Sequence, residues 1–242
     1  GHPGHVLGLA ALSRYLGADQ PFYGLQPIGL TGDEHPLTSI TVMAERYIEA
    51  MREVQPHGPY SLGGRCWGAV VALEMAHRLR AMGEPIGLLC LMNVTPYDFP
   101  GLVSGASRRR FRHHRRLKVV RTILRDASKR RMWKRLPYPA VELARILGRE
   151  IGHLGRRYAT RSLIVLRRPL PRRLRDVDFL NQVAFAHHAS RTYPGRALLI
   201  LSEEHRSLYA ADPLLDWRDL ALGYDIHFVP GADPEMFGEP GV

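Results

Sequence analysis

The stretch Gly63-Gly64-Arg65-Cys66-Trp67-Gly68-Ala69-Val70-Val71-Ala72-Leu73-Glu74-Met75-Ala76 (GGRCWGAVVALEMA) reads as a strand that turns abruptly into a helix. Gly64 and Gly68 flank Cys66 at the spacing of a nucleophile elbow, G-x-S-x-G, with cysteine where serine is expected. Small neighbours are needed because that turn is tight and strained, and Ala69 keeps the helix start small as well. A sulfur so placed sits at a helix N-terminus, where unpaired amides and the macrodipole favour the thiolate. A buried structural cysteine behind a glycine-containing turn fits the same five residues, so the pattern alone leaves both readings open.

Working outward, Tyr60-Ser61-Leu62 is a short strand feeding the turn, and the helix runs from Trp67 to Met82, where Gly83 stops it. Ile86 to Met92 (IGLLCLM) is a continuous apolar run of strand length, expected to be covered on both faces. Strand, helix, strand in that order is a parallel crossover unit. Upstream, Leu37 to Val54 is amphipathic, with Ile40, Met43, Tyr47, Ile48 and Met51 at helical spacing behind a Thr38/Ser39 cap signal. Downstream, Phe179 to Thr192 reads as a helix, and Ala197 to Leu201 and Asp225 to Val229 as strands. The predicted architecture is α/β: a doubly wound, mainly parallel sheet. It divides into a first core part at 1–100, an inserted helical lid at 101–175 and a second core part at 176–242.

The lid is set apart by charge. Between Arg108 and Arg175, 24 Lys or Arg stand against three acids, a net +21, while the rest of the chain carries −10 and the whole +11. Such a field is either a solvated arginine-rich surface or a docking face for an acidic partner. Aromatic residues such as Phe111, Trp133 and Tyr138 interleave sparsely there, which argues against a nucleic-acid module. The two cysteines, Cys66 and Cys90, make neither a disulfide framework nor a metal cluster, pointing to a reducing, cytoplasmic setting and no metal. No run of eighteen apolar residues exists, which argues against a membrane helix.

Three segments resemble the thioesterase domains of nonribosomal peptide and polyketide synthetases, which have the α/β-hydrolase fold. They are PFYGLQPIGLTGDEHPLTSITVMAERYIEAMREVQPHGPYSLGGRCWGAVVALEMAHRL (Pro21–Leu79), YPGRALLILSEE (Tyr193–Glu204) and the VPG, Met236 and Glu239-Pro240 of Val229–Pro240. The resemblance implies an acyl chain delivered on the phosphopantetheine arm of a carrier protein and released by hydrolysis, cyclisation or transfer. It implies no cofactor of the domain's own. It also places the family's first strand before Gly1 and its last helix after Val242, so that the domain reads as truncated at both ends.

The resemblance carries a nucleophile–acid–histidine order onto Cys66, Asn93 and Asp233, so all three positions depart from Ser, Asp and His. Cysteine and asparagine are chemically coherent, since a thiolate–imidazolium pair needs orientation more than a compensating charge. Aspartate is not coherent. It is ionised at neutral pH, shuttles protons poorly, and beside Cys66 would oppose thiolate formation. Substitute bases are His5 and His2 in the early loop, or His227 in the last strand. His187 and His188 read as structural or solvated. Glu203 or Glu204 is an alternative acid, although a solvated loop glutamate fits each as well. The oxyanion hole would combine the Trp67 N–H with a donor near Gly4 or His5.

Two functions follow. One is an acyl-transfer domain that takes a small-molecule acyl group from an acyl or peptidyl carrier protein onto Cys66. Release would be by transfer, amide or ring formation, or slow hydrolysis. The other is a degenerate thioesterase homologue that binds a carrier protein or an acyl chain without turnover. An engineered serine-to-cysteine change would account for Cys66 but not for Asp233.

Overall fold

Four parallel strands, β1 (Tyr60–Arg65), β2 (Ile86–Met92), β3 (Tyr193–Ser202) and β4 (Ala221–Val229), hydrogen-bond in the order β1-β2-β3-β4. They belong to a computed structural model that describes residues 6–29, 34, 36–103, 177–203, 206 and 216–230, with isolated positions 155, 159, 162, 163 and 171. The helices among the described residues include α1 (Ala10–Leu16), α2 (Ile40–Val54), α3 (Trp67–Ala81) and α4 (Val177–His187). The chain divides into two compact units, 1–104 together with 180–242, and 105–179.

Helix α2 starts where the sequence places its cap: the Ser39 hydroxyl accepts from Val42 N at 3.4 Å. Its buried residues Ile40, Met43, Ala44 and Ile48 follow the predicted apolar stripe, with Tyr47 and Met51 packed against the same core. Helix α3 ends in a Schellman turn, with Glu84 N on Leu79 O at 2.9 Å, Gly83 N on Arg80 O at 3.0 Å and Gly83 at φ +82°. Leu62, Leu89, Leu91, Ala197 and Leu199 share one sheet face, and the apolar sides of α2 and α3 join them in a single core.

The opposite face is more open. Leu88, in register with exposed Ser61, is 42% exposed, so β2 is covered on one face and only partly on the other. An apolar run marks a strand, but it does not say which of its alternate side chains find a neighbour. Strands β1, β3 and β4 are longer than predicted. In β3 the register shifts between Tyr193 and Arg196, which accommodates Pro194 and its missing N–H. Helix α4 stops at His187, five residues early, because Ser190 N turns to the Pro100 carbonyl at 2.6 Å and Tyr193 is already sheet.

At the N-terminal edge of the sheet, Glu84 gathers three groups: Arg52 Nη2 at 2.7 Å, Gly58 N at 3.0 Å and His57 Nδ1 at 3.3 Å. At the opposite, C-terminal edge β1 gives way to Cys66 and β2 to Asn93. In open parallel sheets this is where ligands bind.

Candidate active site

β1 delivers Cys66 to that C-terminal edge. Cys66 N continues the ladder by donating to Met92 O at 3.2 Å, and α3 begins at the next residue. The backbone between them is forced: Cys66 stands at φ 50°, ψ −116°, a left-handed conformation for a residue with a side chain. Such a residue stores about 1–3 kcal/mol of strain, and strained positions of this kind cluster at working sites. Gly64 makes the turn possible, because a Cβ there would fall 2.2 Å from the Gly68 carbonyl oxygen and 2.5 Å from Ala69 N. Gly68 is different: a Cβ on it meets nothing within 4 Å.

Cys66 is exposed, forms no disulfide, and its thiol does not cap α3. Trp67, the first helical residue, holds one of the amides that an α-helix leaves without an internal partner. Its indole is 39% exposed and meets the Phe185 ring of α4 edge-on, with centroids 4.3 Å apart and planes at 79°.

Asn93 lies on the neighbouring strand, one residue past β2, and is 3% exposed. It too has positive φ, 49°. Its backbone N donates to Ile200 O at 2.9 Å, and its Oδ1 accepts from Ser202 N at 2.8 Å. The partner is an N–H, so the amide orientation is fixed: one lone pair of the carbonyl is committed to the end of β3. Beyond it, Asp98 Oδ2 accepts from Thr95 N at 2.7 Å and Thr95 Oγ1 at 2.9 Å, a capping box that sets the loop leaving β2. The structure thus brings Cys66, Trp67 and Asn93 to one edge on adjacent strands, about 5 Å apart by ordinary strand spacing.

The other candidates separate. His227 is in register with Ile200, which is in register with Met92 and through it Arg65. Three strand spacings, about 14 Å, therefore lie between β1 and His227, too far for its ring to reach the Cys66 sulfur. Glu203 turns to Arg206 at 3.2 Å on the surface. His188 lies 3.8 Å from Glu74, a residue eight positions and about 12 Å of helix rise beyond Cys66. Burial lowers the pKa of His188, partly offset by the Glu74 carboxylate. His187 is exposed at the end of α4. Burial pushes the Cys90 thiol up to about 11. His2, Gly4, His5, Glu204 and Asp233 lie outside the described residues, as does nearly all of 101–175. Among the described residues no group of three or more His, Cys, Asp or Glu could hold a metal, and no helix is long and apolar enough to cross a membrane.

Sequence reading missed Phe185 and Ser202, whose contacts with Trp67 and Asn93 join residues far apart in the chain. It also missed a local signal, the Thr95-x-x-Asp98 capping box, which is legible without a structure.

Comparison with known proteins bears on the family and the fold. Residues 8–111 match the family described as thioesterase domain. Indigoidine synthase of Dickeya dadantii is 46% identical over 89 residues, which are 37% of this chain and 6% of that protein. The NocB thioesterase domain, solved in covalent complex with a fluorophosphonate nocardicin G analogue, aligns with a TM-score of 0.57 at 21% identity, over 98% of this chain and 84% of that one. A four-domain nonribosomal peptide synthetase bound to AMP and glycine gives 0.60 at 22%, over 97% of this chain and 17% of that one. The chain thus spans a small part of the curated relatives it matches. At these identities the solved structures speak for the fold, an α/β-hydrolase-like parallel sheet, as the resemblance implied.

Proposed function

We propose that this chain, whose residues 8–111 fall in the thioesterase-domain family, takes an acyl group from a carrier protein's phosphopantetheine thioester onto Cys66. The observation that carries this is the exposed thiol on a strained backbone at the first turn of α3. The Cys66 thiolate adds to the thioester carbonyl, and the Trp67 N–H supports the oxyanion, with a second donor from the Gly4–His5 loop. Collapse expels the pantetheine thiolate and leaves the acyl group on sulfur. Thiol and leaving group are alike in basicity, so this exchange needs no strong base.

Release is the harder half. Water must lose a proton as it attacks, and without general-base help this costs about 10²–10⁴-fold. With Asp233 at the histidine position, an amine acceptor outcompetes water, so transfer, amide or ring formation is favoured over hydrolysis. The basic segment 101–175 acts as a lid and faces the carrier domain, whose arm brings a phosphate.

Incubation with an N-acetylcysteamine acyl thioester, followed by intact-protein mass, tests this. One acyl group on wild type, none on Cys66→Ala, and slow loss in water hastened by an added amine are expected. Fast hydrolytic turnover abolished by Cys66→Ala would overturn the preference for transfer.

A second reading, a degenerate homologue that binds without turnover, is favoured by Asn93, whose carbonyl is tied to Ser202 N. The two readings part on acylation of Cys66 by a thioester probe below pH 7, stoichiometric in the first and absent in the second. Cys90, a protonated thiol well above that pH, does not confuse the result.

A further inference from the structure

We infer that Trp67 and Phe185 form the wall that recognises the acyl group, selecting an aromatic acyl chain over a short one such as acetyl. This rests on the reading of Cys66 as acyl acceptor. Side chains on a helix lean toward its N-terminus, so the first-turn residue Trp67 covers the turn that carries Cys66. Residues 66 to 68 are all exposed, so neither Cys66 nor Trp67 is closed off from an incoming acyl group. A large aromatic left 39% open beside an exposed nucleophile is apolar area that an incoming acyl group can cover.

The wall is braced. Phe185 stands edge-on to the indole, a preferred geometry for an aromatic pair. Phe185 is itself held in place, since Leu180, Val183 and Ala184 of α4 are buried. Two further ties fasten the region after α4 to α3: His188 lies 3.8 Å from Glu74, and His77 Nε2 donates to the Arg191 carbonyl at 3.0 Å. A ring held this way loses little freedom when a ligand docks, and an aromatic acyl group can complete the edge-and-face cluster that Phe185 begins. A pocket contact of this kind discriminates by about tenfold or more.

The test compares phenylacetyl and acetyl N-acetylcysteamine thioesters by the rate at which each adds to Cys66, read by intact mass. Each rate is divided by the iodoacetamide alkylation rate of the same variant, which corrects for changes in thiol reactivity. Wild type is expected to prefer phenylacetyl at least about tenfold. Trp67→Ala should bring the ratio close to one, Phe185→Ala should lower it, and Trp67→Phe should restore most of it. Circular dichroism melts identify any variant that fails to fold, and the Trp67→Phe rescue then decides. Equal rates in wild type, or a preference retained in Trp67→Ala, overturn the wall while leaving Cys66 an acyl acceptor. No acylation by either thioester, with iodoacetamide still labelling Cys66, overturns both.

Discussion

Gly64 and Gly68 flank the same turn, yet they answer to different constraints. A side chain at 64 would drive into the Gly68 carbonyl and the Ala69 amide, both of which are backbone and cannot swing aside. A methyl at 68 meets open space on a helix, where alanine is the better residue. Gly64→Ala is therefore expected to cost about 3 kcal/mol or to abolish the elbow, as overpacking against rigid groups does. Gly68→Ala should be neutral or gain up to about 1 kcal/mol. Urea unfolding of the two variants checks this, and equal losses would mean that the second glycine of the motif serves the backbone as the first does. The cysteines show the same dependence on surroundings. Cys66 is lifted into solvent by a backbone that only a tight turn produces, whereas Cys90, on a strand, is sealed enough that its thiol is pushed up to about 11.

At the level of elements, the joint between α3 and the segment following α4 is polar and half-buried. Glu74 sits between Arg78 at 2.9 Å and His188 at 3.8 Å, Arg78 reaches across to Glu45 of α2 at 2.7 Å, and His77 packs edge-on against Tyr193. Burial holds both His77 and His188 below the ordinary histidine range. The unfolded chain therefore takes up protons first as pH falls below about 6.5. The stability these residues contribute is complete above that value and is lost as pH drops through their folded values. The urea midpoint should fall between pH 7.5 and 5.5, and the His77→Gln/His188→Gln double variant should show a flatter profile. An unchanged slope would assign the loss to other groups; Glu84, whose carboxyl is held low first by the Gly58 amide, acts only below about pH 4.5. This joint was not legible in the sequence, because its residues are isolated polar positions on elements 114 residues apart in the case of His77 and Arg191. What could be read was periodic or local: the stripe of α2, the apolar run of β2, the glycine stop at 83 and the elbow itself. Strand starts at Tyr193 and Ala221 were missed because Pro194 and Gly195, and Gly223, look like breakers in one dimension but lie at or near an irregular register in three. Of the candidate site, spacing and resemblance placed Cys66 and Asn93 at neighbouring strand ends, whereas the distance of His227 from the elbow required strand order.

For the molecule as a whole, charge is the property that neither fold nor elbow demands. A net +21 between Arg108 and Arg175 is set into a chain that is otherwise −10. On the proposed reading, an acidic carrier domain approaching such a chain would be drawn to one segment and repelled by the remainder, which would raise the encounter rate and orient delivery of the thioester. A small thioester with no protein attached gains nothing from that field. Acylation of Cys66 by a carrier-bound thioester should therefore slow several-fold between about 50 and 300 mM salt, as the Debye length shrinks through about 10 Å at 0.1 M. Acylation by the matching N-acetylcysteamine thioester should stay nearly constant over the same range, which removes any effect of salt on the thiol itself. Replacing four arginines of the Arg108–Arg116 cluster (Arg108, Arg109, Arg110 and Arg112) with glutamine should lower the carrier-dependent rate at low salt and weaken its salt dependence. If carrier-bound and free thioesters respond to salt alike, the basic segment does not steer the carrier, and its charge is a solvated surface.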